Sequence, residues 1–268
     1  MFKSEAFAQS HRILHAALKT KKVQGLELAV KHKDPLTAED QEKVRTFFSN
    51  VLEANDPVKL TMLVWYTMTM HFGLRGHEVQ VQLNKSDLEF KEDDSGEIVV
   101  LSTDFASKNC PGGTAGREFA TVGSVNDVQQ VAAIRLLLQK LHPEVDRVFQ
   151  RARAGEVKAG DKTWFNRQAL GHNLLGGMMQ RISERAGLSR KYTNHCVRAT
   201  TVTLLKERGI EDRKVCLVTG HKAERSLQHY DKPGNAECND LVKLLDGRIR
   251  RLPSLWRSRK NLERLVLH

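Results

Sequence analysis

Four side chains in the stretch NHCVRATTVTLLKERGIEDRKVCLVTGHKAERSLQHYDK, residues 194–232, have types that handle phosphate: His195, Arg198, His221 and Tyr230. His195 and Arg198 stand three apart, so on a helix they share one face and point into one volume. Thr193 or Asn194 can cap that helix, which brings its positive dipole end to the same place. His221 follows a glycine, and Tyr230 comes nine residues later. The only other tyrosines are Tyr66 and Tyr192. A tyrosine set in so basic a segment is a candidate nucleophile.

Two further segments supply cations. Arg75 lies in HFGLRGHEV, with Glu78 three residues on to hold its guanidinium by a charge-assisted hydrogen bond. Lys108 lies in SKNCPGG, a turn by its Asn, Pro and paired Gly. Together these residues form a metal-independent inventory for phosphodiester chemistry. A phosphodiester under attack gathers negative charge on its non-bridging oxygens, and two planar guanidinium forks match that geometry. Fixed cations in a water-poor site stabilise the developing charge. A tyrosine hydroxyl can attack phosphorus and divide one hard step into two easier ones. Neighbouring Arg and His⁺ favour its phenolate, a histidine can take its proton, and a lysine can protonate the departing oxygen.

Plainer assignments exist for each residue. A histidine in the position of His195 is often a cap or core residue. Arg75 and Glu78 can form a surface ion pair worth under about 1 kcal/mol. A turn lysine is usually solvated, and Lys85 and Lys91 compete with Lys108 for the acid role. Tyr230 can be a packing residue with a satisfied hydroxyl, with Tyr192 as the rival nucleophile. Cys196, Cys216 and Cys238 with His195 and His221 match no common zinc spacing, so the cysteines read as small core residues.

The ordered set resembles the tyrosine recombinase (phage integrase) family. The resemblance rests on GLRGHEV, SKN, HCVRAT and TGHKAERSLQHY, and the 32 residues from Arg198 to Tyr230 fit the family's pattern. It covers roughly residues 35–248, and its flavour is closest to eukaryotic Crypton-type recombinase domains. It implies that Arg75 and Arg198 clamp the scissile phosphate, with Glu78 in support. His195 contacts the phosphate and accepts the tyrosine's proton, His221 bonds a non-bridging oxygen, and Lys108 is the general acid. Tyr230 attacks to leave a 3′-phosphotyrosyl bond and a free 5′-hydroxyl, with no metal or nucleotide cofactor. Lys222, in a position often held by a small residue, reads as an extra phosphate contact. Arg225 and Lys191 are further candidates to touch DNA. The implied partners are duplex DNA and further copies of the chain. Two other readings share the resemblance: a host-adopted, non-catalytic nuclear DNA-binding or interaction module, and a type IB topoisomerase. Family members usually carry a separate N-terminal DNA clamp. Some 35 residues precede the catalytic region here, so a complete clamp is not expected within them.

The charge distribution agrees with a polyanionic partner. The net formal charge is +11, yet residues 1–150 hold 18 basic against 20 acidic side chains and residues 151–268 hold 25 against 12. The 268 residues, 40% apolar, are enough for one large domain with an appendage. Four scattered cysteines without a C-x-x-C pair indicate a reducing compartment. The N-terminus is too polar for a secretory signal, and no run approaches the roughly 18 apolar residues of a membrane span. The nucleus is the expected location, or the cytoplasm of a microbe.

These residues need elements to position them. Periodicity predicts helices over 4–22, from Thr37, from Asp56-Pro57 to Gly73, and over 126–141, 168–186, 195–208, 211–218 and 237–250. SDLEFKEDDSGEIVVLS, residues 86–102, reads as a hairpin, with REFATV at 117–122 as a third strand. Residues 151–162 read as a polar loop, and 250–268 as a basic amphipathic terminal helix. The expected fold is mainly α with a small antiparallel β-sheet, that of a tyrosine recombinase catalytic domain. Its divisions are an N-terminal helix and linker (1–34), a catalytic domain (35–250) and a basic tail (251–268).

Overall fold

Asp56 caps the central helix of the fold by accepting from the Lys59 backbone N–H, and Pro57 occupies its first position. This computed structural model describes residues 8–23, 33–74, 76–94, 96–101, 124–219, 221, 224–227 and 230. In order, they form α1 (Ala8–Val23), α2 (Ala38–Phe48), α3 (Pro57–Phe72), α4 (Gly76–Gln82), β1 (Leu88–Asp93), β2 (Gly96–Leu101) and β3 (Ser124–Val125). Then follow α5 (Val128–Lys140), β4 (Gln150–Ala152), β5 (Phe165–Ala169), α6 (His172–Gly176), α7 (Met178–Arg185), α8 (Asn194–Glu207) and α9 (Asp212–Thr219). The fold is mainly α with a small antiparallel sheet, as expected. The chain divides into two units, Met1–Asp34 and Pro35–His268. The first holds α1; the second holds the rest. No helix among the described residues is long and apolar enough to cross a membrane.

α3 is apolar on nearly every side because it runs through the middle of the second unit. Leu60, Val64, Trp65, Met68 and Phe72 are all but inaccessible, and α5, α7, α8 and α9 pack around the helix. Each such side chain contributes about 1.5–3 kcal/mol of burial energy. Polar bonds join α3 to α4. The Trp65 indole N–H donates to Gln80 Oε1, Gln80 Nε2 donates to Thr69 Oγ1 at 2.7 Å, and Thr69 donates to the Trp65 carbonyl at 2.8 Å. Buried polar groups are tolerated where they are bonded in this way.

The expected hairpin forms, with Leu88 opposite Leu101 and Phe90 opposite Val99. Its third strand is β3, antiparallel to β2 through Val99 and Val125. The expected strand at 117–122 and helices at 237–250 and 250–268 lie outside the described residues. Two expectations need correction. The single helix over 168–186 is instead the end of β5 followed by α6 and α7, broken at Gly171 and Gly177. The polar loop over 151–162 begins inside β4, which pairs with β5 in a second sheet. Between those strands Trp164, fully buried, donates its indole N–H to the Lys158 carbonyl at 2.9 Å.

Candidate active site

α8 is the element that orients the H-x-x-R pair, and bonds to three other segments hold it. At its start Asn194 accepts from the Met179 N–H at 3.1 Å and donates to the Leu175 carbonyl at 2.8 Å, which fixes it to α6 and α7. Nearly two turns on, Thr200 accepts from the Leu36 N–H at 2.8 Å. Thr201 donates to the Met70 carbonyl of α3 at 3.1 Å. Thr193 is the N-cap residue, but its side chain makes no cap bond; its hydroxyl lies 3.5 Å from Cys196 Sγ.

A buried carboxylate steadies the segment that leads into α8. Asp40 of α2 accepts from the Ser189 N–H at 2.9 Å, the Ser189 hydroxyl at 2.5 Å and the Tyr192 hydroxyl at 2.6 Å. Burial alone would push its carboxyl up; the bonds from Ser189 and Tyr192 outweigh that and hold it well below the usual carboxylate range. Tyr192, the rival nucleophile, is therefore a structural residue, 1% exposed with its hydroxyl on Asp40.

Arg198 is 6% exposed and His221 7%. A buried guanidinium is costly without partners. Arg198 has them: Nη1 donates to the Gly73 carbonyl, and Nη2 lies 3.3 Å from His221 Nδ1. Gly73 ends α3 with φ +53°, and its carbonyl meets the arginine there. On its other side a Cβ at this position would lie 2.7 Å from Thr219 Cα, so α3 and α9 end in close contact only because residue 73 has no side chain. His221 is set two residues past that contact. Its Nδ1 is 2.6 Å from Thr219 Oγ1, and that hydroxyl is 2.7 Å from the Val215 carbonyl.

Tyr230 stands half-buried on a small apolar cluster separate from the main core, made of Val202, Val215, Cys216 and Leu227 with Leu205. Its ring lies edge-on to His221, with centroids 6.5 Å apart and planes at 67°. Its backbone N–H donates to the Leu227 carbonyl at 2.8 Å. The same carbonyl accepts from Lys206 Nζ at 3.3 Å, and Lys206 also pairs with Asp212 at 3.0 Å. The lysine, 12% exposed along its side chain, thus ties α8, α9 and the turn before Tyr230 together.

The structure thereby brings Arg198, His221 and Tyr230 into one locality. His195 is exposed on α8, three residues before Arg198. Arg225 is exposed in the short turn Glu224–Ser226. Lys191 is exposed and pairs with Glu184 at 2.6 Å, a surface pair worth under about 1 kcal/mol. Arg75, Lys108 and Lys222 lie outside the described residues. Glu78 falls within α4, and its side chain too lies outside them. The competitors of Lys108 have other partners: Lys85 donates to the His142 carbonyl at 3.1 Å, and Lys91 pairs with Glu89 at 2.9 Å.

Cys196 and Cys216 are buried among apolar neighbours. Burial, then the nearby Glu224 and Asp212, push the Cys216 thiol up. Among the described residues no group of three or more His, Cys, Asp or Glu is placed to hold a metal ion. Sequence reasoning missed Asp40, Gly73, Thr219 and Lys206. Asp40 reads as an ordinary first-turn acid and Gly73 as a helix stop; nothing local to Thr219 or Lys206 distinguishes them.

No family model matches the chain, and no curated protein matches it. Solved structures do. XerH site-specific recombinase in a post-cleavage complex with palindromic difH substrate superposes with TM-score 0.56 at 19% identity, over 81% of this chain and 54% of that one. The pre-cleavage XerH–difH complex gives 0.52 at 17% identity, over 82% and 56%. XerA recombinase gives 0.47 at 14% identity, over 81% and 65%. The chain thus spans about half the length of the XerH recombinase it matches. The fold is the tyrosine recombinase catalytic fold that the sequence motifs point to.

Proposed function

We propose that this chain is a site-specific DNA recombinase or integrase that breaks and rejoins strands through Tyr230. The observation that carries the reading is that His221 lies against both the buried Arg198 guanidinium and the Tyr230 ring, so residues from three segments share one locality. Its likeness in fold to DNA-bound recombinases supports it, as does the basic excess of residues 151–268.

In the proposed reaction Arg198 and Arg75 hold the non-bridging oxygens of one phosphodiester, with His221 bonded to the same group and Glu78 supporting Arg75. His195 takes the phenolic proton as Tyr230 Oη attacks phosphorus. The bond from phosphorus to the 5′-oxygen breaks, and Lys108 supplies the proton that leaves with it. A 3′-phosphotyrosyl link and a free 5′-hydroxyl result. Rejoining reverses the steps, with an incoming 5′-hydroxyl as nucleophile and Tyr230 as leaving group. The bond energy stays in the covalent link, so neither metal nor nucleotide is called for. Lys222, Arg225 and Lys191 would touch backbone phosphates. Such contacts make affinity fall steeply with salt.

Exchange of strands needs two duplexes and several protomers, so the active form is an oligomer on DNA. The wording of the HFGLRGHE, SKNCPGG and HCVRATTVTLL motifs supports a Crypton-type origin and a nuclear site of action.

The test is a duplex carrying a nick beside the cleavage site, which traps the covalent intermediate. The protein should form an adduct resistant to denaturant. Tyr230→Phe should bind the duplex and form none. DNA binding by the unaltered protein with no adduct on any duplex would leave a binding module in place of an enzyme.

A further inference from the structure

We infer that the pocket between α2, α3 and the start of α5 is a second binding site, for a neutral, largely apolar small molecule that carries an amide or lactam group. This site lies beyond the strand-breaking reading and does not depend on it. No residue that lines the pocket belongs to the group around Arg198.

The pocket has a volume of about 480 Å³, within the roughly 300–1,000 Å³ of small-molecule sites. Val44 and Phe48 of α2, Val51 and Leu52 beyond it, and Leu63 of α3 supply its apolar wall. Phe48 and Tyr66 stand with ring centroids 6.2 Å apart and planes at 40°, an aromatic corner on which a flat ring can pack.

Most polar groups around the pocket are already engaged. Gln41 Nε2 donates to the Leu36 carbonyl at 3.0 Å, and the Ser49 hydroxyl to the Thr46 carbonyl at 2.9 Å. Arg45 is bonded to Glu42. Asp127 caps α5 by accepting from the Gln130 N–H at 2.9 Å. The two charged residues are thus opposite in sign and each has a use of its own, so the pocket favours neither cation nor anion. An ion would also lose its hydration against the apolar wall.

Two groups are not engaged. Gln130 Oε1 is shut off from water and has no hydrogen-bond partner, a costly state for a buried acceptor. The Tyr66 hydroxyl has no partner among the described residues. Burial pushes it up to about 12, against the pull of Arg45, so it stays a neutral donor. The Gln130 carboxamide gives up no bond where it stands, and its outer torsion is soft, so it can turn into the pocket. There it accepts from a ligand N–H while Tyr66 donates to a ligand C=O. An amide or lactam offers both. The same ligand serves a carboxamide turned end for end, since it accepts as well as donates.

The test uses the full chain with ¹³C in its tyrosine rings, of which there are three: Tyr66, Tyr192 and Tyr230. Benzamide is the probe. At millimolar concentrations it should move the Tyr66 signal, assigned by its loss in Tyr66→Phe, along a saturable curve and leave Tyr192 and Tyr230 in place. Acetophenone keeps the ring and the carbonyl but lacks the N–H. It should bind about tenfold more weakly, the worth of one hydrogen bond. Gln130→Met keeps an unbranched side chain and removes the acceptor; with the Tyr192 and Tyr230 signals unchanged, it should bind the two probes alike. A Tyr66 signal that benzamide leaves unmoved, or shifts of all three tyrosines that never saturate, overturns the site. Equal affinity of the two probes for the unaltered protein, or a gap that persists in Gln130→Met, overturns the ligand class. The titrations of the unaltered protein decide both points even where the variant does not fold.

Discussion

Gly73 and Arg198, 125 residues apart in sequence, are joined by a hydrogen bond from the guanidinium to the glycine carbonyl. That carbonyl faces the arginine because the backbone at Gly73 turns left-handed, and the same turn lets α9 approach within van der Waals distance. Gly73→Ala adds a methyl group against Thr219 and places a side chain at positive φ. The left-handed backbone alone costs about 1–2 kcal/mol. Thermal melts should show a destabilisation of at least that size. DNA cleavage measured well below the melting point should fall further than stability predicts, because the methyl displaces the carbonyl from Arg198.

Arg198→Lys preserves charge and removes the fork. One ammonium cannot serve the Gly73 carbonyl and a phosphate with the same geometry. Loss of one positioned donor typically lowers turnover by about 10²–10³-fold. Adduct formation should drop by that order while duplex affinity changes only a few-fold. Equal losses in both would mean that Arg198 serves binding alone.

Asp40 makes acid stability a probe of the segment entering α8. Its carboxyl is held below the ordinary value, so its contribution is complete above the unfolded pKa of about 4 and is lost as pH falls below that. Unfolding of the native protein by denaturant should become easier through that acid window. Asp40→Asn turns an amide towards the donors of Ser189 and Tyr192, at a cost of about 1–3 kcal/mol for each donor left unsatisfied. At neutral pH it should be the less stable protein, and its stability should fall less between pH 5 and pH 3.

Lys206 offers a separate handle on Tyr230. Lys206→Met keeps an unbranched aliphatic side chain on α8 and removes the bonds to Leu227 and Asp212. The ion pair itself is worth about 1 kcal/mol or less. A misplaced nucleophile, by contrast, can lower a rate by about a hundredfold. Cleavage should fall by more than the melting temperature accounts for, and Lys206→Arg should recover part of the rate. A normal rate in the methionine variant would show that the apolar cluster alone places Tyr230.

The helices and the hairpin were legible because their signals are local. α3 is announced by Asp56-Pro57 and stopped by Gly73, and the β1–β2 hairpin by its alternating strands and acidic turn. The second sheet was not, since β4 has three residues and β5 exposes its middle, so neither shows an apolar period. Arg198, His221 and Tyr230 could be selected by residue type and order. What holds them could not. The bond from Arg198 to Gly73, the anchoring of α8 through Thr200 and Asn194, and the carboxylate of Asp40 join positions far apart in sequence, and no short window contains both partners.

Tyr230 rests on four buried side chains that do not touch the main core. Such a module opens at less than the free energy of global unfolding, because only its own contacts and those of α9 with α3 and α8 must be given up. The phenol can therefore be withdrawn or presented while α3 and its surroundings stay intact. Amide hydrogens of α9 should accordingly exchange well before those of α3, and binding of substrate against His221 should slow them.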